Sequence, residues 1–166
     1  MKVSVIAQDP KYTYSAKLIR AICAELFDHF DVCGDYELAV YFCSEAKMKS
    51  LNLEYRGKNK VTDVLSFAVN DGEKIEKRGG GSGVPMLLGD IFLCPGYILK
   101  NNVIKGGSQL REETAYLLIH GFMHLIGYDH EEYGFEGSKM RRDADRFVAS
   151  KTAGMNIGSL IKISKG

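Results

Sequence analysis

Three of the chain's four histidines fall inside a single eleven-residue stretch, H-G-F-M-H-L-I-G-Y-D-H, running from His120 to His130. The stretch closes the longest helical pattern in the chain, from Gln109 to about Ile126, in which Ala115, Leu117, Leu118, Ile119, Phe122 and Met123 are apolar at helical spacing. His120 and His124 are four residues apart, so on a helix they are offset by about 40° and aim their imidazoles at one spot. Gly127 then stands where a helix C-terminus needs a residue that tolerates a left-handed backbone. A turn there brings His130 back toward the same point.

Three neutral imidazoles leave the fourth position of a tetrahedral ion open, which marks a catalytic zinc site rather than a closed structural one. Zn2+ suits this donor set, and Ni2+, copper or another divalent metal binds the same nitrogens. The remaining histidine, His29, reads as an ordinary surface residue. Two carboxylates stand near the predicted ligands. Glu113, seven residues before His120, shares its helical face and either orients a ligand or accepts a proton, or is a solvated charge; Asp129, next to His130, either hydrogen-bonds a ligand from behind or caps the turn.

The rest of the chain predicts a mixed α/β (α+β) fold, a small mixed β-sheet of about four strands covered by helices, with a zincin-like metal-binding helix. Residues 2–7 read as a strand and 12–27 as an amphipathic helix. Tyr36–Cys43 reads as a second strand, after which Ser44 caps a helix through about Tyr55. Asp63–Val69 and Leu87–Cys94 read as further strands, 96–104 as a short helix and Lys139–Lys151 as the last helix, with the tail from Gly154 unassigned. At 166 residues, 45% of them hydrophobic, the chain suits one domain spanning 1–166. A net charge of +1 excludes a histone-like polycation, so any nucleic-acid contact must be a local patch. The apolar start before Gln8 is too short for a signal peptide and no run is long enough for a membrane span, which predicts a soluble, cytoplasmic protein with no membrane partner. Cys23, Cys33, Cys43 and Cys94 lack C-x-x-C pairing and read as reduced thiols. The segment 77–83, K-R-G-G-G-S-G, lacks the spacing of a phosphate-binding loop and reads as a strand connection.

The histidine spacing matches the metzincin proteases, H-E-x-x-H-x-x-G-x-x-H, except that Gly121 occupies the position of their glutamate base. It resembles more closely the signature H-G-x-L-H-L-x-G-Y-D-H of the YbeY family of bacterial endoribonucleases. Leu51-Asn52-x-x-Tyr55-Arg56-Gly57-Lys58, followed by Thr62-Asp63-Val64-Leu65-Ser66-Phe67, is similar to a second block of that family, and Leu88-Gly89-Asp90-Ile91 with Cys94-Pro95 to a third. The blocks cover roughly residues 40–150 in matching order. Departures from the family pattern are Asn59 for aspartate, Val61 and Ala68 for prolines, Met123 for leucine, and a longer glycine-rich loop at 70–86.

The resemblance implies a zinc-dependent endoribonuclease that prefers single strands and matures ribosomal RNA, including the 16S 3′ end, in ribosome quality control, with the ribosome or small-subunit proteins as partners. His120, His124 and His130 would be the metal ligands and Arg56 the catalytic residue in the cleft. Lys58 and Lys60, with Lys47 and Lys49, form a basic stretch around Arg56 that suits an RNA backbone. Arg141, Arg142 and Arg146 offer a further one. Two alternatives remain: a metalloprotease lacking the usual glutamate base, and a non-catalytic ribosome-assembly factor with a structural metal site.

Overall fold

In the computed structural model of the chain, residues 1–70, 85–101, 107–128, 139–152 and 159–164 are described. Strand β1 (Lys2–Ala7) is followed by β2 (Tyr12–Tyr14), helix α1 (Ala16–His29), β3 (Tyr36–Phe42) and α2 (Glu45–Arg56). Then come β4 (Val64–Ala68), β5 (Met86–Leu93), α3 (Pro95–Asn101) and α4 (Gly107–Leu125). Helix α5 (Lys139–Phe147), a π-helical turn at Val148–Thr152 and β6 (Ile161–Ile163) complete the described elements.

Four strands form one mixed sheet in the order β1-β3-β5-β4, with β1, β3 and β5 parallel and β4 antiparallel at the edge. Parallel neighbours need a crossover, which α1 supplies between β1 and β3. Alternation along β3 sends Leu38, Val40 and Phe42 into the main core, where they join Ile19, Ile22 and Leu26 of α1 and Phe122 of α4. On the opposite face a smaller cluster forms where Met48 and Leu51 of α2 meet Leu65, Cys43 and Cys94.

Two glycines let α4 lie close on the sheet. A Cβ on Gly121 would stand 2.9 Å from Cγ2 of Ile91 on β5. Gly89, at φ 146°, sits beside a break in the β3–β5 register; a Cβ there would meet the carbonyl oxygen of Phe67 and lie 2.9 Å from Cδ2 of Leu125. A side chain at either position would push helix and strand apart.

The predicted helix over 12–27 needs correction. It begins at Ala16, where the Ser15 hydroxyl accepts from the Leu18 N–H at 3.3 Å, and Tyr12–Tyr14 instead pairs antiparallel with β6. Tyr-Thr-Tyr favours extended backbone, and its partner lies at the far end of the chain, beyond the reach of local periodicity. The last predicted helix also changes character. Regular α-helix stops at Phe147, whose carbonyl accepts from the Ser150 hydroxyl at 3.3 Å, and π-helical turns follow. The other predicted strands and helices hold within a few residues, and the short helix covers 95–101 of the described residues. Cys23, Cys43 and Cys94 are buried free thiols, held up to about 12, 12 and 11 chiefly by burial, while Cys33 is an exposed free thiol. Among the described residues no helix is long and apolar enough to cross a membrane.

Candidate metal and nuclease site

The geometry of the histidine pair follows from how α4 ends. Gly127 adopts φ 87°, its N–H donates to the His124 carbonyl at 3.1 Å, and the Tyr128 N–H donates to the Met123 carbonyl at 3.0 Å. These two bonds satisfy the last carbonyls of the helix as a Schellman turn does. The turn folds the Tyr128 carbonyl back to within 3.0 Å of Nδ1 of His124. A carbonyl can only accept, so Nδ1 carries the proton, and in the neutral ring the lone pair of His124 sits on Nε2.

One turn earlier, the His120 ring faces that of His124 at a centroid distance of 4.7 Å and an interplanar angle of 88°. Both residues are partly buried, one step round the helix from Gly121 and Leu125, which seat α4 on β5. The donor set fits a borderline metal such as zinc: two imidazoles converge from one helix, and one of them has its outer nitrogen engaged by a carbonyl, the usual support for a metal-bound histidine. Among the described residues, no group of three His, Cys, Asp or Glu side chains stands together to hold an ion. His130 and Asp129 lie outside the described residues, as does the 77–83 loop. Glu113 lies two turns before His120 on α4 and is partly buried.

Gly121 has a structural explanation as well. With Ile91 2.9 Å from where its Cβ would be, the position facing β5 has no room for the glutamate that a metzincin carries there.

Arg56 is the exposed last residue of α2. Ser44 caps that helix at its start by accepting from the Lys47 N–H, and Gly57 ends it at φ 65°. Asn52 then fixes the chain beyond. Although polar, it is 2% exposed and sits one turn after Met48 on the buried side of α2. Its Nδ2 donates to the Lys60 carbonyl at 2.7 Å, and its own carbonyl accepts from the Lys58 N–H at 3.1 Å. Lys58 and Lys60 are thus held by their backbones with their side chains exposed, and Lys47 and Lys49 are exposed too. At the entry to β4, the Asp63 carboxylate accepts from the Thr62 hydroxyl at 3.0 Å and the Val64 N–H at 2.8 Å.

Helix α4 packs on β4 and β5, while Tyr55, beside Arg56, lies against Phe67 of β4 at 4.8 Å. The edge strand therefore stands between the helix bearing the histidine pair and the end of α2 that carries Arg56. Sequence patterning flagged neither Asn52 as a clamp nor Tyr55 as a ring on the sheet; the signal for Asn52 was a polar residue on the apolar Met48–Leu51 side of a helix.

Other predicted residues lie away from this region. His29 is half-buried, its ring 5.3 Å from that of Phe147 and 4.8 Å from that of Phe30, so it is a packing residue rather than a plain surface one. On α5, Arg142 and Arg146 are exposed, and Arg146 reaches Asp143 at 3.5 Å. The side chain of Arg141 lies outside the described residues. Asp143 also accepts from the Tyr128 hydroxyl at 3.1 Å; burial first, and then this bond, hold that phenol up to about 12.

A family model described as Endoribonuclease YbeY matches residues 5–151. An endoribonuclease YbeY of Halalkalibacterium halodurans is 39% identical over 117 residues, 70% of this chain and 73% of the relative. One from Oenococcus oeni is 37% identical over 118 residues, 69% of this chain and 72% of the relative. The solution structure of a Thermotoga maritima protein aligns with a TM-score of 0.53 at 26% identity, covering 88% of this chain and 86% of that one.

Proposed function

The chain belongs to the YbeY endoribonuclease family, and we propose that it is a metal-dependent endoribonuclease acting on single-stranded segments of ribosomal RNA, including the 16S 3′ end, in the cytoplasm and in contact with the ribosome or its small-subunit proteins. The observation that carries this reading is the histidine pair: His120 faces His124, and the Tyr128 carbonyl takes the Nδ1 proton of His124 so that Nε2 is left to bind. His120, His124 and His130 would hold the ion, zinc by donor type. When bound, such an ion supplies Lewis-acid stabilisation at a phosphodiester.

The remaining work falls to the chain's own residues. Cleavage builds negative charge on the non-bridging oxygens of the phosphate, and a guanidinium can meet two of them with parallel charge-assisted hydrogen bonds. Arg56, exposed at the end of α2, has the chemistry for that role. Lys58 and Lys60, their backbones pinned by Asn52, would track the neighbouring phosphates. Glu113 and Asp129 are assigned to orienting the ligands. The absence of a glutamate at Gly121, and of room for one, disfavours peptide hydrolysis.

The test is cleavage of a labelled single-stranded RNA by the purified protein, its His124→Ala variant and a chelated sample, with metal content assayed for each. Cutting by the wild type, and joint loss of metal and cutting in the other two, supports the reading. Bound metal without any cutting would shift it to a ribosome-assembly factor.

A further inference from the structure

The sheet face turned away from α4 carries a line of aromatic rings that ends beside Arg56. Tyr41 of β3 and Phe92 of β5, cross-strand partners, stack at 4.4 Å with planes 7° apart. Phe92 meets Phe67 of β4 edge to face at 5.7 Å and 77°, and Phe67 meets Tyr55 of α2 at 4.8 Å and 58°. The first three rings are half-buried; Tyr55 is 60% exposed. A row anchored in three strands therefore ends on one open tyrosine ring, the residue immediately before Arg56.

A ring that rests on the sheet at one side keeps its other face open to water. It is what single-stranded nucleic acid needs: bases freed from pairing stack on preset aromatic faces while cations hold the backbone. Here the cations are adjacent, since Arg56, Lys58 and Lys60 follow Tyr55 directly and are all exposed. Resting on the reading of the protein as a ribonuclease, we propose that Tyr55 is a base-stacking residue: a nucleotide beside the phosphate held by Arg56 lays its base on the open face of the Tyr55 ring. Discrimination against duplex follows, because a paired base offers no free face to the ring. The contact tolerates any base, so it confers preference for single strands rather than for a sequence.

The experiment uses the full chain with its metal, and single-stranded RNA in which 2-aminopurine or an abasic sugar is walked through the positions flanking the cut. Stacking predicts quenched 2-aminopurine fluorescence at one flanking position on binding, and there alone an abasic sugar raises KM about tenfold, the worth of one base stack, with kcat little changed. Tyr55→Leu should abolish the quench and raise KM for intact RNA by a similar factor, and Tyr55→Phe should restore most of both. If the wild type cuts RNA but no position shows the quench or the abasic penalty, the stacking role is overturned and the nuclease reading stands. Failure of the wild type to bind or cut RNA overturns both. The abasic walk needs no variant, so misfolding of Tyr55→Leu leaves the proposal open to refutation.

Discussion

A Cβ on Gly121 would stand 2.9 Å from Cγ2 of Ile91, closer than a real methyl sits to a neighbour. The contact fixes how near α4 lies to β5, and with it where His120 and His124 sit. Gly121→Ala should therefore lower stability by about 1–3 kcal/mol through overpacking, despite the better helix propensity of alanine, read as a drop in Tm. Gly121→Glu, which restores the metzincin motif on paper, should destabilise far more and give no cleavage of casein. Casein cleavage by a folded Gly121→Glu protein would mean that the helix can move off the strand.

Asn52 supports a second prediction. Its amide spans 2.7 Å to the Lys60 carbonyl from a buried position, so Asn52→Ala removes a donor from a site with little access to water. The expected loss is about 1–3 kcal/mol in a denaturant titration. Because the same bond holds the backbone carrying Lys58 and Lys60, KM for RNA should rise more than kcat falls. An unchanged KM would detach the loop from substrate binding.

The helix end that carries His120 and His124 was readable from spacing because it is local. Two histidines one turn apart, with a glycine at the helix end, are set by the rise of a helix and the left-handed turn that closes it, and the bonds at Gly127 and Tyr128 are the ones that arrangement requires. Ser44 and the alternation along β3 were legible for the same reason. What was missed depends on distant partners. Tyr12–Tyr14 is a strand only because Ile161–Ile163 lies beside it, Gly121 is explained only by Ile91, and the Tyr41–Phe92–Phe67–Tyr55 line exists only once β3, β5, β4 and α2 are side by side. The sheet order, with its antiparallel edge at β4, is likewise a product of packing that no window of residues contains.

Gly127 itself can be tested. At φ 87° an alanine is strained by about 1–2 kcal/mol, and relief of that strain would unwind the turn that brings the Tyr128 carbonyl to His124. Gly127→Ala should lower Tm and, in a competition with a chromophoric chelator, release metal more readily than the wild type. A lower Tm with unchanged metal affinity would show that the turn serves the fold alone.

Asp90 lies on the aromatic face of the sheet, opposite Phe67 in register, and burial raises its carboxyl above the ordinary value of 3.8. The Tyr41 phenol is close enough to feel it, being itself pushed up by burial and then by Asp90. A folded-state value above the unfolded one means that the protonated form favours folding, so this contribution is present below 3.8 and is lost as pH rises through the raised value. Asp90→Asn should thus match the wild type in Tm at the acid end and exceed it at neutral pH. A variant less stable than the wild type at neutral pH would assign the carboxylate a stabilising role.

Arg56 separates chemistry from stability. It is exposed at the C-terminal end of α2, where a cation gains about 0.3–1 kcal/mol from the helix dipole, so Arg56→Lys should melt with the wild type and Arg56→Ala only slightly below it. A lysine keeps the charge but loses the planar fork that meets two phosphate oxygens at once. Removing such a preorganised donor lowers kcat by on the order of 10²-fold, and Arg56→Lys should recover only a small part of what Arg56→Ala loses. The measurement is kcat and KM on single-stranded RNA across a salt series. A purely electrostatic role predicts instead that lysine restores activity, and that Arg56→Ala alone differs from the wild type, mainly in KM and increasingly so as salt is lowered. Full activity of Arg56→Lys would therefore remove the bidentate contact from the mechanism while leaving the positive charge beside Tyr55 in place.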